Sequence, residues 1–390
     1  MPTEGRMDVD ETCTALEFAR EVREESLELL RAIGRIGAPT GDEGRRAEFV
    51  ASWLRDQGAT DVTVDEARNV ICVLGERSAP GRAIFSAHTD VVFPDTGELP
   101  LSEDEENMYA PGIGDDTACL VTLLMATKWF LRRRPKLDTC VVVVANSGEE
   151  GLGNLRGTKQ LMREATAPVT ELTALDAHFP EVVTEAVGSM RYRVSVHTQG
   201  GHSWKNWGVP NAIERLSRVV CALYDLPRPT EARTTCNVGL VEGGTTVNSI
   251  ASEASCLCEF RSTSEACLQE MDERLRDLVA RADARDDTEV QLSVIGVRPA
   301  AGDVSESAER RLTRRCDEAI QAVLGVRARH VSSSTDANVP LSLGVPAVCV
   351  GTIAGGLSHT RDEWIRKASL EQGVAVALLL MMAHVVGDEG

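Results

Sequence analysis

The residues of this 390-residue chain best suited to chemistry are a few histidines and acids that stand where apolar runs end. His88 closes the run Phe85-Ser-Ala-His88, and Asp90 follows two residues later. Residues two apart on an extended chain face the same way. The Asp90 carboxylate can therefore lie behind the His88 ring, accept its second N–H and fix the tautomer a metal ligand needs. Next comes Pro111-Gly-Ile-Gly-Asp-Asp116, just before a helical stretch, where Asp115 and Asp116 fit either a helix cap or a ligand. Asn146-Ser-Gly-Glu149-Glu150-Gly151 comes directly after an apolar strand, at the carboxyl edge where α/β proteins place their ligands. Asp176 ends the run Leu172–Leu175 with His178 two residues on as a competing donor, and His359 lies in Gly355-Gly-Leu-Ser-His-Thr360. Imidazole and carboxylate without thiolate suit zinc or a similar divalent ion in a hydrolytic site. There are too many carboxylates for one tetrahedral ion, so a bridged pair of ions is the natural assignment.

Those residues need a scaffold, and the composition allows one. Hydrophobic residues make up 43 % and charged residues 26 %, ordinary for a chain that buries a large core. Sixty acids against 41 bases give a net charge of −19, a surface that repels nucleic-acid phosphates and anionic lipid and so argues against either partner. The eleven cysteines are scattered without a Cys-x-x-Cys pair and read as reduced, buried thiols. Met1–Thr14 is acidic and polar, unlike a signal peptide, and no apolar run reaches the ~18 residues of a membrane span. The expectation is a soluble, cytoplasmic protein.

Leu16, Ala19, Val22, Ser26, Leu30 and Ile33 recur at helical spacing and predict one amphipathic helix. A second helix is expected after Pro39, with Thr40 and Glu43 in capping-box spacing and Gly58 as its stop. Short strands follow at Val62–Val64, Val70–Leu74 and Ala83–Ala87, then a helix over Thr117–Phe130. Cys140–Ala145 is an uninterrupted β-branched run, as in a parallel sheet covered on both faces. From Met190 to His197 apolar and polar residues alternate instead. A helix at Asn211–Tyr224, strands near Thr235–Val241 and Ser255–Arg261, a helix at Glu265–Ala284 and a strand at Glu289–Ile295 complete a βαββαβ unit. The α/β pattern then resumes with a helix at Glu309–Leu324, a strand at Ala347–Val350 and a last helix at Leu370–Val386. The fold expected is α/β: a mostly parallel sheet with helices on both faces, formed by residues 1–187 and 303–390, with an α+β (βαββαβ, ferredoxin-like) domain inserted at 188–302.

The order His-x-Asp, Gly-x-x-Asp-Asp, Glu-Glu, Asp, then a C-terminal His spans about residues 85 to 360. In this the chain resembles the dizinc metallopeptidase family of peptidase T, carboxypeptidase G, acetylornithine and succinyl-diaminopimelate deacylases and aminoacylase. Gly200-Gly-His-Ser-Trp204 and Ser334-Thr-Asp-Ala-Asn338 are closest in flavour to the peptidase T-like branch, although Thr117-Ala118 stand where many relatives have Lys-Gly. The resemblance implies two divalent ions per chain, zinc with cobalt or manganese as alternatives. His88 and Asp176 would hold one, Glu150 and His359 the other, and Asp115 would bridge them ahead of a cis peptide. Asp90 would orient His88, and Glu149 would be the general base acting on water. The inserted domain would be a lid that also makes a homodimer. Its His202 would reach into the partner subunit's site to stabilise the oxyanion, with Asn248, Arg261 and Arg298 contacting substrate. Trp204 and Trp207 read as lid packing. The activity implied is that of a metallo-exopeptidase on di- and tripeptides, with an N-acyl-amino-acid amidohydrolase or carboxypeptidase G-like hydrolase as alternative, and a catalytically silent scaffold as a more distant one.

Overall fold

A computed structural model of the chain describes residues 8–283 and 287–386. Met1–Met7 and Ala284, the expected last residue of the Glu265 helix, lie outside the described residues. The chain divides into two compact units, residues 1–186 with 302–390 and residues 187–301.

An eight-stranded sheet organises the first unit. From edge to edge it runs Val62–Val64, Val70–Leu74, Cys140–Asn146, Arg82–His88, Val169–Leu175, Ala347–Val350, Glu181–Ala186 and Arg329–Ser333. Its centre is parallel: Arg82–His88 pairs in parallel with both Cys140–Asn146 and Val169–Leu175, and Val169–Leu175 with Ala347–Val350. Cys140–Asn146 is buried along its whole length because each face meets its own core. Val141, Val143 and Ala145 join one apolar cluster with Leu120, Leu124, Val374 and Leu378 of helices Cys119–Arg133 and Lys367–Met382. Cys140, Val142 and Val144 join another on the opposite face with Leu161, Leu172 and Leu341. A parallel sheet needs such cover, and each fully buried Val or Leu contributes about 1.5–3 kcal/mol to it. Because the central strands are parallel, His88, Asn146 and Leu175 all end at the same edge.

Two local expectations fail. The helix expected through Ile33 is broken at Val22 (φ −95°, ψ 9°) into Val9–Glu21 and Arg23–Gly34. The capping box does not form either. The next helix begins at Gly44, Glu43 accepts the Gly41 N–H instead, and the Thr40 hydroxyl donates to Asp90 (2.9 Å).

In the second unit one four-stranded antiparallel sheet runs Thr234–Gly243, Glu253–Ser262, Gly188–His197, Glu289–Arg298. Helices Ala212–Asp225 and Glu265–Asp283 cover one face, against Tyr192, Val194, Cys258 and Phe260. All eleven cysteines are free, and among the described residues no helix is long and apolar enough to cross a membrane.

Candidate metal centre

The parallel strands deliver the donors to one edge. His88 is the last residue of its strand, fully buried, with its backbone N–H donated to Asp116 Oδ2 (2.8 Å). Its Nδ1 faces Asp90, 3.1 Å from the carbonyl and 3.5 Å from Oδ1, which leaves Nε2 pointing forward. That Nε2 lies 3.0 Å from Asp115 Oδ1 and 3.9 Å from Asp176 Oδ1. The other oxygen of Asp115, Oδ2, lies 3.0 Å from His359 Nε2, which is in turn 3.1 Å from Glu150 Oε1. One carboxylate thus faces two histidines from opposite ends of the sequence, with one further acid beside each. The Asp115–Asp116 peptide is cis. His178 stays outside this arrangement: the groups that converge are His88, Asp116 and Asp176; His88, Glu149 and Glu150; and Asp115, Glu150 and His359.

These donors fit divalent cations. Burial, reinforced by the charges of Asp116 and Asp115, pushes the Asp176 carboxyl well above its ordinary range, and burial does the same to Asp116. Burial opposes a charge on Asp115 too, yet the two histidines hold its carboxyl below the usual range. Asp115 and Glu150 in turn raise His359 to about 10. Asp116 Oδ1 is buried without a hydrogen-bond partner. A buried cluster this rich in acids is costly unless positive charge enters it, and its nitrogen and oxygen donors suit zinc, cobalt or manganese.

Asp90 contacts more than the imidazole. Its Oδ1 accepts the Glu149 N–H (3.1 Å) and its Oδ2 the Glu150 N–H (2.9 Å), so one buried carboxylate, 3.5 Å from His88 Nδ1, fixes the Glu149-Glu150 segment beside that ring. Asp90→Asn must turn an NH2 toward one of those donors. Removing such outer partners of a ligand weakens metal binding about 10–100-fold, and chelator competition on the purified variant should show a loss of that size. Affinity unchanged from wild type would refute the role.

Two supporting residues, Glu363 and Arg46, carried no signal in the sequence, and a third, Asp336, lies in a motif singled out there without a role. Glu363 is fully buried and accepts backbone N–H bonds from Gly112, Gly114 and Asp115; burial pushes its carboxyl up to about 7. Arg46 is fully buried beneath the site, donating to the carbonyls of Ile36 and Thr89 and to the Thr117 hydroxyl. Asp336, within the Ser334–Asn338 motif, accepts from Asn146 and Thr158 and so braces the strand end that precedes Glu149.

The inserted unit holds the remaining candidates at two places. His202 pairs with Ser249 in a two-stranded ribbon, and Ser203 donates its N–H to the Asn248 carbonyl, so His202 and Asn248 share one edge. His202 Nδ1 accepts from the backbone N–H groups of Trp204 (3.2 Å) and Lys205 (3.4 Å), which puts the ring proton on the exposed Nε2. Arg261 and Arg298 both lie opposite Ser189 in neighbouring strands, so the two arginines share a row and a face. Arg261 donates to Glu259 (2.7 Å), and Arg298 is buried. Trp204 and Trp207 do not pack: they are 86 % and 89 % exposed.

Fold and donor set define a metal-dependent hydrolase of amide bonds. The sequence model of peptidase family M20/M25/M40 matches residues 84–383, and the chain belongs to that family, whose enzymes depend on a pair of metal ions. Among its relatives, the uncharacterized protein YqjE of Bacillus subtilis is 25 % identical over 348 residues, 84 % of this chain and 87 % of that one. The succinyl-diaminopimelate desuccinylase of Corynebacterium glutamicum is 25 % identical over 355 residues, 88 % of this chain and 92 % of its own length. Among solved structures, a tripeptidase of Staphylococcus aureus superposes with a TM-score of 0.75 at 21 % identity, covering 93 % of this chain and 98 % of that chain.

Proposed function

We propose that the protein hydrolyses di- and tripeptides as a peptidase T-like exopeptidase, with His88 and Asp176 holding one zinc ion, Glu150 and His359 the other, and Asp115 shared. The observation that carries this reading is Asp115 presenting one oxygen to each histidine at 3.0 Å. A metal pair bound there would polarise the scissile carbonyl and lower the pKa of a water toward neutrality. Glu149 is next to Glu150 and outside the proposed ligand set; its carboxylate would take a proton from the attacking water and deliver it to the departing amine. His202 Nε2–H donates to the oxyanion as the carbonyl becomes tetrahedral. Arg261 and Arg298 hold a substrate carboxylate, for which guanidinium forks are suited, and Asn248 contacts the substrate amide.

The spacing within the inserted unit supports a homodimer that shares residues between sites. Arg261 and Arg298 sit beside Ser189, at the start of strand Gly188–His197, whereas His202 follows its far end. Eight residues of antiparallel strand span about 27 Å, too far for one small substrate to touch both ends. One copy therefore provides the arginines and its partner provides His202 and Asn248. The eleven unpaired thiols accord with a cytoplasmic setting.

A second reading, N-acyl-amino-acid deacylation, is favoured by the similarity to a desuccinylase. Protein stripped with chelator and reloaded with zinc, cobalt or manganese separates the two. Di- and tripeptides should be cleaved by the reloaded protein and not by the stripped one. Turnover of N-succinyl or N-acetyl amino acids with none of the peptides would overturn the peptidase assignment, and full activity after stripping would overturn both.

A further inference from the structure

We propose that Glu363 is a positioning residue that locks the loop bearing Asp115 to the loop bearing His359, so that the two ligands are set as one piece. The proposal rests on the two-metal reading above. Asp115 follows the glycine-rich turn 111–114; apart from Ile113, whose N–H bonds to the Ala110 carbonyl, the amides from Gly112 to Asp115 need acceptors from elsewhere. The Glu363 carboxylate takes three of them: Oε1 accepts from Gly114 (2.7 Å) and Asp115 (2.7 Å), and Oε2 from Gly112 (3.1 Å). Its own carbonyl accepts the Ala110 N–H (3.1 Å). The turn is shaped for this contact. A Cβ on Gly114 would stand 3.1 Å from Glu363 Oε1, and Gly112 has φ +69°, with Val91 only 2.3 Å from where its Cβ would be.

The other end of the lock is the histidine loop. Gly355–Gly356 and Trp364–Arg366 form a hairpin whose connecting segment holds His359 and ends at Glu363. Trp364–Arg366 also pairs with Asn107–Tyr109, the strand that leads into the Asp115 turn. Leu357 (φ +61°) and His359 (φ +65°) adopt left-handed conformations, which residues other than glycine keep only where their surroundings hold them. Glu363 joins this segment to the turn that carries the shared carboxylate. Only a carboxylate meets all three amides, because a glutamine has one acceptor oxygen in place of two.

The test is Co2+ binding to chelator-stripped protein, followed by visible absorption, in wild type and in Glu363→Gln and Glu363→Asp. The first keeps the shape and loses an acceptor; the second keeps the charge and draws both oxygens back. Circular dichroism and the Tm of the stripped proteins report the fold separately. We expect wild type to take up two equivalents, and both variants to fold and to bind the second equivalent about 10–100-fold more weakly. A role confined to holding the fold would lower the Tm of stripped protein and leave Co2+ affinities unchanged. That result, in either folded variant, overturns the proposal while the two-metal reading stands. A wild-type chain that binds fewer than two ions overturns both.

Discussion

Glu149→Gln should lower kcat by about 10²–10⁴-fold, the usual worth of a positioned general base, while both metal equivalents stay bound. The side chain is 5 % exposed, and its backbone N–H is tied to Asp90 Oδ1, so the segment is held whether or not the carboxyl can ionise. A glutamine in its place has nearly the same volume and the same backbone anchor, and lacks only a site for the proton. The five proposed ligands, His88, Asp115, Glu150, Asp176 and His359, are untouched by the change, so metal content measured by emission spectroscopy should match wild type. KM should move little, because the lost interaction matters while the proton is in flight rather than when substrate binds. A residual rate within tenfold of wild type would remove Glu149 from the mechanism. Loss of a metal equivalent would instead make it a ligand.

The donors at the strand ends were legible because two signals coincide there: an uninterrupted apolar run, which only a covered strand tolerates, and an acid or histidine directly after it. His88 closes such a strand, Asp176 follows one directly, and Glu149 and Glu150 come within five residues of one. Their supports do not have that form. Glu363 belongs to Arg361-Asp362-Glu363, which looks like a solvated charge run until Trp364–Arg366 pairs with Asn107–Tyr109 and draws the last member inward. The strands of that small sheet are two or three residues long, too short to show an alternating pattern. Thr40 and Glu43 have the spacing of a capping box, but the buried Asp90, 50 residues further along the chain, competes successfully for the threonine hydroxyl. Local pattern loses there to a long-range partner that no window contains. Trp204 and Trp207 depart for the opposite reason: their apolar bulk reads as lid packing, and it lies on an exposed edge beside His202.

His202→Ala should cost about 10²–10³-fold in kcat, the scale of removing one oxyanion donor. Its most informative use is in combination with Glu149→Gln. Each variant alone is expected to be nearly inactive. In a mixed dimer in which each site uses its own Glu149 and its partner's His202, one of the two sites recovers both groups while the other has neither. Random pairing of equal amounts therefore restores about a quarter of all sites. If each site uses His202 from its own chain, no pairing yields an intact site and the mixture stays as inactive as its parts. Differently tagged chains co-expressed and purified through both tags raise the mixed species to the whole sample, and the recovered rate should then approach half that of wild type. The separation of Arg261 and Arg298 from His202 along one strand argues for recovery, because a small substrate held by the arginines of one copy lies out of reach of that copy's own histidine.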